Sequence, residues 1–227
     1  NVSGGATVTG TSGVTIENIE FSDTVSCQST TDTYLTDLTV TGGGDGIYVN
    51  GAGATVYIDN PEIYGVTNGI YVTNDTVYVT NPWIYNVTNG IYAASGSYVD
   101  VSGGLIETFS GNGIYAASAT VYVSNLEIAN QSDSATGVYV GDYSYVEVSD
   151  CSRIHDNQYG FWVTMDGDLA ANGNDIYSNS SYGVYWGGGS YTPDCVENWW
   201  GDKAGPYVGV GSMGDRDGIS TSSIQYS

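Results

Sequence analysis

Cationic side chains are almost absent from this chain. Its 227 residues include three lysines and arginines in all, Arg153, Lys203 and Arg216, against 25 aspartates and glutamates, for a formal net charge of −22 at pH 7. The acidic share is ordinary, so the imbalance comes from missing cations rather than added carboxylates, and adaptation to high salt explains it poorly. So few cations cannot neutralise a row of phosphates, which argues against nucleic acid as a partner. Cation depletion does limit self-repulsion once carboxylates protonate in acid, and it removes sites for trypsin-like proteases. Both properties suit an exposed extracellular protein, secreted or on a cell surface.

Other absences narrow the field further. One histidine and no close cysteine pair argue against a copper or zinc site. No apolar run approaches the roughly 18 residues of a transmembrane helix, so no membrane span is expected. No basic-then-apolar leader precedes Asn1, which fits a mature secreted chain.

What the chain has in quantity is a repeat. Gly46-Ile47-Tyr48-Val49 recurs as Gly69-Ile70-Tyr71-Val72, Gly90-Ile91-Tyr92-Ala93, Gly113-Ile114-Tyr115-Ala116, Gly137-Val138-Tyr139-Val140, Gly160-Phe161-Trp162-Val163 and Gly183-Val184-Tyr185-Trp186. The leading glycines lie 23, 21, 23, 24, 23 and 23 residues apart. A period in the low twenties carried by short β-branched and aromatic runs predicts a solenoid with one repeat per turn. A second strand keeps step, in Val56-Tyr57-Ile58, Val77-Tyr78-Val79, Val99-Asp100-Val101 and Val121-Tyr122-Val123, its alternation placing apolar side chains inward. A third is anchored on Val40, Ile63, Ile84, Ile106, Ile128, Ile154 and Ile176.

Three short strands and their corners fill each repeat and leave no room for a helix. The leucine and asparagine spacing of leucine-rich repeats is missing, so a parallel β-helix is expected. The corner after the second strand supports it: Asn18, Asp37, Asn60, Asn81, Gly103, Asn125, Asp150 and Gly173 are all residue types that tolerate a left-handed backbone. About eight coils run to residue 191, followed by a closing segment, 192–227, of the same domain. At about 4.8 Å per coil the rod is on the order of 40 Å long.

Three cysteines cannot all pair within one chain. Cys27 and Cys195 fall at small, inward positions and are expected as free thiols. Cys151 and Cys195 lie about two coils apart, nearer 10 Å than disulfide range.

The stretch Ile154-His155-Asp156-Asn157 to Tyr159-Gly160-Phe161, with Asn174-Asp175-Ile176-Tyr177-Ser178-Asn179 to Tyr182-Gly183-Val184, resembles right-handed parallel β-helix proteins of the pectate-lyase-like superfamily. The likeness is strongest to a surface and periplasmic branch related to nitrous-oxide-reductase maturation proteins. Asn198-Trp199-Trp200-Gly201 and Gly205-Pro206 are similar to a closing motif of such rods. The resemblance implies an all-β, right-handed fold. It does not fix an activity, because the superfamily holds lyases, hydrolases, epimerases, adhesins and inert scaffolds.

Candidate chemistry is sparse, and the catalytic motifs of the polysaccharide-cutting relatives are not found. Arg153, His155 and Asp156 share one coil, with Asp175 and Tyr177 in the next, and an imidazole beside a carboxylate can do acid–base work. The competing expectation, which carries more weight, is that His155 is ordinary outward-facing surface. Aromatics form a second candidate: Tyr48, Tyr71, Tyr92, Tyr115, Tyr139, Trp162 and Tyr185 should stack along one face, as a sugar platform, a packing surface or a stabilising ladder. Asp166 and Asp168, or Asp215 and Asp217, are weak calcium candidates in oxygen-rich loops. No other cofactor is implied. Five sequons, at Asn1, Asn74, Asn86, Asn130 and Asn179, mark glycosylation candidates.

The ends complete the list. No amphipathic helix precedes Ala6-Thr7-Val8-Thr9, so the first coil is expected to be covered by another subunit or by residues further upstream. Trp199, Trp200, Ile224 and Tyr226 are expected to dock such a partner, and head-to-tail contacts of this kind build filaments. The expectation is therefore a non-enzymatic extracellular structural protein that self-associates head-to-tail or laterally. The alternative is a carbohydrate-active β-helix that binds or cleaves a polysaccharide.

Overall fold

The computed structural model describes residues 2–130, 134–150, 152–209, 217–221 and 223–226. Asn1, Cys151, Asp215 and Arg216, named above, lie outside the described residues. Among the described residues there is no helix, and short strands pair in parallel from coil to coil. The all-β solenoid of about eight turns expected from the repeat is what forms.

Second strands stack into one ten-stranded sheet that starts with Thr15–Glu17 and ends with Gln225–Tyr226. First and third strands belong to a single seventeen-stranded sheet. They are fused because Trp83–Ala94 and Leu105–Ala117 each run unbroken from a third strand into the next first strand, bending at Asn86 and Thr108, where φ is 53° in both. The last segment extends both sheets: Gln225 pairs with Asp194, and Ile219 with Val184.

Burial explains the repeat residue by residue. Ile47, Ile70, Ile91, Ile114, Val138, Phe161 and Val184 stand in register and are all fully buried. The third-strand anchors from Val40 to Ile176 form a second buried stack. Each such side chain contributes roughly 1.5–3 kcal/mol when fully buried, and β-branched residues also fit the extended backbone. The repeat's glycine has a different cause, which is close approach. A Cβ on Gly69 would lie 2.6 Å from the Gly90 carbonyl oxygen and 2.6 Å from Ile84 Cγ2, so only glycine lets the first strand meet the third-strand stack.

The corner column behaves as its composition predicts. Asn18, Asp37, Asn60, Asn81, Gly103, Asn125, Asp150 and Gly173 all have positive φ, between 48° and 72°. The amides also link coils, since Asn81 Nδ2 donates to Asn60 Oδ1 at 3.3 Å and Asn60 Nδ2 to Asp37 Oδ1 at 3.2 Å.

A second polar column was not foreseen. At the corner after the third strand, Val66, Val87 and Phe109 fill the interior of the middle coils. In the last coils Asn157 and Asn179 take that place, buried and hydrogen-bonded. Asn157 Nδ2 donates to the His155 carbonyl and to Asn179 Oδ1, at 2.8 and 3.0 Å. Asn179 donates in turn to Asp217, a fully buried carboxylate.

Cys27 and Cys195 are buried free thiols. Burial raises the Cys27 thiol to about 12, and burial also pushes Cys195 well up.

Candidate functional site

The third-strand face carries the acid–base candidate. Parallel register sets Glu127, Arg153 and Asp175 in one outward column and Ala129, His155 and Tyr177 in the next. The structure brings the candidates together but does not leave His155 as ordinary surface. The residue is 9% exposed. Its ring stacks on Tyr177 at 4.7 Å and 7°. Nδ1 lies 2.9 Å from Asp156 Oδ2, and Nε2 lies 3.1 Å from Glu127 Oε1. Arg153 pairs with the other oxygen of Glu127. Glu127 was missed in the sequence, although it precedes Ile128 as Arg153 precedes Ile154.

Both imidazole nitrogens thus face carboxylates of this chain, Asp156 on one side and Glu127 on the other. The network orients Tyr177 and Arg153 along a cleft of about 480 Å³, whose far wall is Trp199. It is built to hold side chains in place.

The first-strand face carries the aromatic candidate. Tyr48, Tyr71, Tyr92, Tyr115, Tyr139, Trp162 and Tyr185 form an unbroken ladder with centroid spacings of 5.2, 4.9, 4.6, 4.9, 6.4 and 5.1 Å. Beside it runs a column of amides that the sequence reading overlooked. Asn68 Nδ2 donates to Asp45 Oδ1, Asn89 Nδ2 to Asn68 Oδ1 and Asn112 Nδ2 to Asn89 Oδ1, at 2.7, 2.9 and 3.1 Å. The signal was present in Asn-Gly-Ile-Tyr, which occurs three times. On the second-strand face Tyr34, Tyr57, Tyr78, Tyr98, Tyr122 and Tyr145 make another ladder, spaced 4.9 to 5.9 Å.

A family model described as "Right handed beta helix region" matches residues 45–199. The chain belongs to this family. Among solved structures, this right-handed β-helix is similar to the A-module of the mannuronan C-5 epimerase AlgE6 of Azotobacter vinelandii, with a TM-score of 0.69 at 18% identity. The match covers 95% of this chain and 65% of that one, so the chain spans less than two thirds of its neighbour's length. At that identity the likeness establishes the fold. No curated protein matches the sequence.

Two of the four end-docking candidates of the β-helix are corrected by burial. Trp200 is 2% exposed and Ile224 is 1% exposed, so both belong to the core and neither can meet a partner. Trp199 and Tyr226 are exposed and flank a separate cleft of about 570 Å³ beside Lys203 and Pro206.

Two sequons are corrected in the same way. Asn130 is buried and donates to the Phe109 carbonyl, and Asn179 is fully buried in the polar column, so neither amide can take a glycan in the folded chain. Asn74 and Asn86 are exposed.

Among the described residues no group of three or more histidine, cysteine, aspartate and glutamate side chains is placed to hold a metal. Asp166 and Asp168 line a surface pocket, whereas Asp217 is engaged by Asn179. No helix among the described residues is long and apolar enough to cross a membrane.

Proposed function

We propose that this right-handed β-helix is a carbohydrate-binding module whose ligand is a neutral polysaccharide lying along the first-strand aromatic ladder. One observation carries the reading: a seven-ring aromatic platform with a parallel column of half-buried side-chain amides three residues before the rings of its middle coils. Aromatic faces accept the C–H face of a sugar, while amides offer both donors and acceptors to its hydroxyls. The likeness to an epimerase module, itself carbohydrate-active, supports the same class of ligand.

Charge selects the polymer. A chain of net charge −22 with no cation in the ladder repels a polyuronate, so a neutral polymer is favoured. Binding without cleavage is favoured because both ring nitrogens of His155 are engaged by carboxylates of this chain, Asp156 and Glu127. The reading as a self-associating structural rod loses Trp200 and Ile224 from its docking surface and ranks second. An extracellular setting is part of the proposal, and Asn74 and Asn86 are the sequons a secretory route could use.

Affinity electrophoresis in gels containing β-glucan, xylan, mannan or polymannuronate tests the reading. At least one neutral polymer should retard the protein, polymannuronate should not, and Tyr92→Ala with Tyr115→Ala should weaken retention about tenfold or more, the scale of one or two aromatic contacts. Equal mobility in every gel, or an undiminished shift in the double variant, would sink it.

A further inference from the structure

The corner between first and second strands contains a residue that stability alone does not explain. Three residues before the register-matched Val56, Val77, Val99, Val121 and Val146 of the second strands stand Gly53, Asn74, Gly96, Ser118 and Tyr143, and each has positive φ. The backbone N–H of Ser118 donates to the Asp142 carbonyl and that of Tyr143 to the Asp166 carbonyl, so neighbouring coils are hydrogen-bonded at this corner. Tyr143 has φ 60° and closes a turn in which Ser144 N–H donates to the Gly141 carbonyl at 3.2 Å. Glycine or asparagine is the expected residue there, and a bulky ring is an outlier. The ring gains little from packing in return, being 78% exposed, the most of any large apolar side chain among the described residues. Strain kept at an exposed position marks a site of use.

The surroundings name the chemistry. Tyr143 borders a pocket of about 350 Å³ whose other rings are Tyr145 and Tyr191, the latter 52% exposed. Thr120 and Ser144 add hydroxyls, and Asp166 and Asp168 add carboxylates. No lysine or arginine lines it, which disfavours phosphate, sulfate and uronate. Aromatic faces with hydroxyl and carboxylate acceptors suit a ligand that has an apolar ring face and several O–H donors.

We infer that this corner pocket is a binding site for a single neutral pyranose unit, held between Tyr143 and Tyr191 with its hydroxyls donating to Asp166 and Asp168. It shares no residue with the first-strand ladder and reads a chain end or a branch rather than a polymer backbone. Burial raises the Asp168 carboxyl above its ordinary value, as expected of a carboxylate partly withdrawn from water.

Saturation-transfer NMR with millimolar methyl β-glucoside, methyl β-galactoside and methyl α-mannoside tests the site separately from the polymer assay, because a single sugar does not need the ladder. At least one glycoside should receive saturation. Tyr143→Gly should abolish the transfer while raising Tm by a few degrees, since glycine relieves the left-handed backbone. Tyr191→Ala should weaken the transfer without that gain, and Trp83→Ala on the third-strand face, outside both ladder and pocket, should leave it intact. Absence of transfer to all three glycosides would overturn the inference, as would transfer that survives both Tyr143→Gly and Tyr191→Ala. Choline run as a fourth probe covers the competing occupant: if it alone is bound, the pocket is an ammonium cage and the sugar assignment fails.

Discussion

Asp217 accepts hydrogen bonds from both the backbone N–H and the side-chain amide of Asn179, a residue 38 positions earlier in the chain. Both residues are fully buried, so the contact closes the internal polar column that begins at Asn157. Asp217→Ala would leave the buried backbone N–H of Asn179 unpaired, at a cost of about 1–3 kcal/mol, while its amide keeps the Ile154 and Tyr177 carbonyls. Denaturant unfolding should show a loss of that size, with a smaller loss for Asp217→Asn. Equal stability of the alanine variant and the parent would show that the carboxylate is dispensable.

The repeat's glycine is constrained by space. A Cβ at position 90 would sit 2.5 Å from both the Gly113 carbonyl oxygen and Ile106 Cγ2, whereas one at position 44 meets nothing within 4 Å. Gly90→Ala should therefore cost about 1–3 kcal/mol through overpacking, and Gly44→Ala should be nearly neutral. Thermal melts of the two variants side by side make the comparison, and similar Tm values would contradict it.

Two tyrosines should titrate late. Tyr85 is raised to about 12 by burial and then by its hydrogen bond to Glu62, and Tyr145 is raised to about 12 by burial and then by its bond to Glu147. Both values exceed the ordinary 10, so the folded state favours the neutral phenol. The stabilisation linked to this preference is complete below pH 10 and is lost as pH rises from 10 towards 12. Ultraviolet phenolate titration should show late-ionising rings, and Glu62→Gln should bring one of them earlier. A single unshifted transition would refute the assignment.

The buried thiols should be inert. With Cys27 raised to about 12 and Cys195 higher still, almost no thiolate is present at neutral pH. In a Cys151→Ser background, an aromatic disulfide reagent should label neither thiol in the native protein and both after unfolding. Rapid native labelling would mean that the coil holding the labelled thiol, near the start for Cys27 or the end for Cys195, opens readily.

The first and third strands were legible because each inward position is filled by one residue class in every coil, so period and burial carry the same signal. The left-handed corner was legible for a similar reason, since only Asn, Asp and Gly occur in it. Side-chain partnerships across coils were not legible. Glu127 and His155 are 28 residues apart and meet only because parallel register brings neighbouring columns side by side. Asn130 and Asn179 read as surface sequons because nothing local distinguishes an asparagine at an exposed corner from one donating inward to a carbonyl. The Trp199-Trp200 pair divides between solvent and core because adjacent residues in an extended chain point to opposite sides.

The aromatic ladder repeats at the spacing of the strands beneath it, so a step of one coil replaces each ring by a near copy of itself. A polymer resting there would meet almost the same contacts at several offsets, and its position along the rod would be weakly defined. Under the proposed reading the surface would be a track rather than a socket. The indole at Trp162 and the wider 6.4 Å gap before it interrupt that sequence of equivalent positions. Under the proposed reading they would act as a stop near which a sliding chain would bring its end toward the last coils.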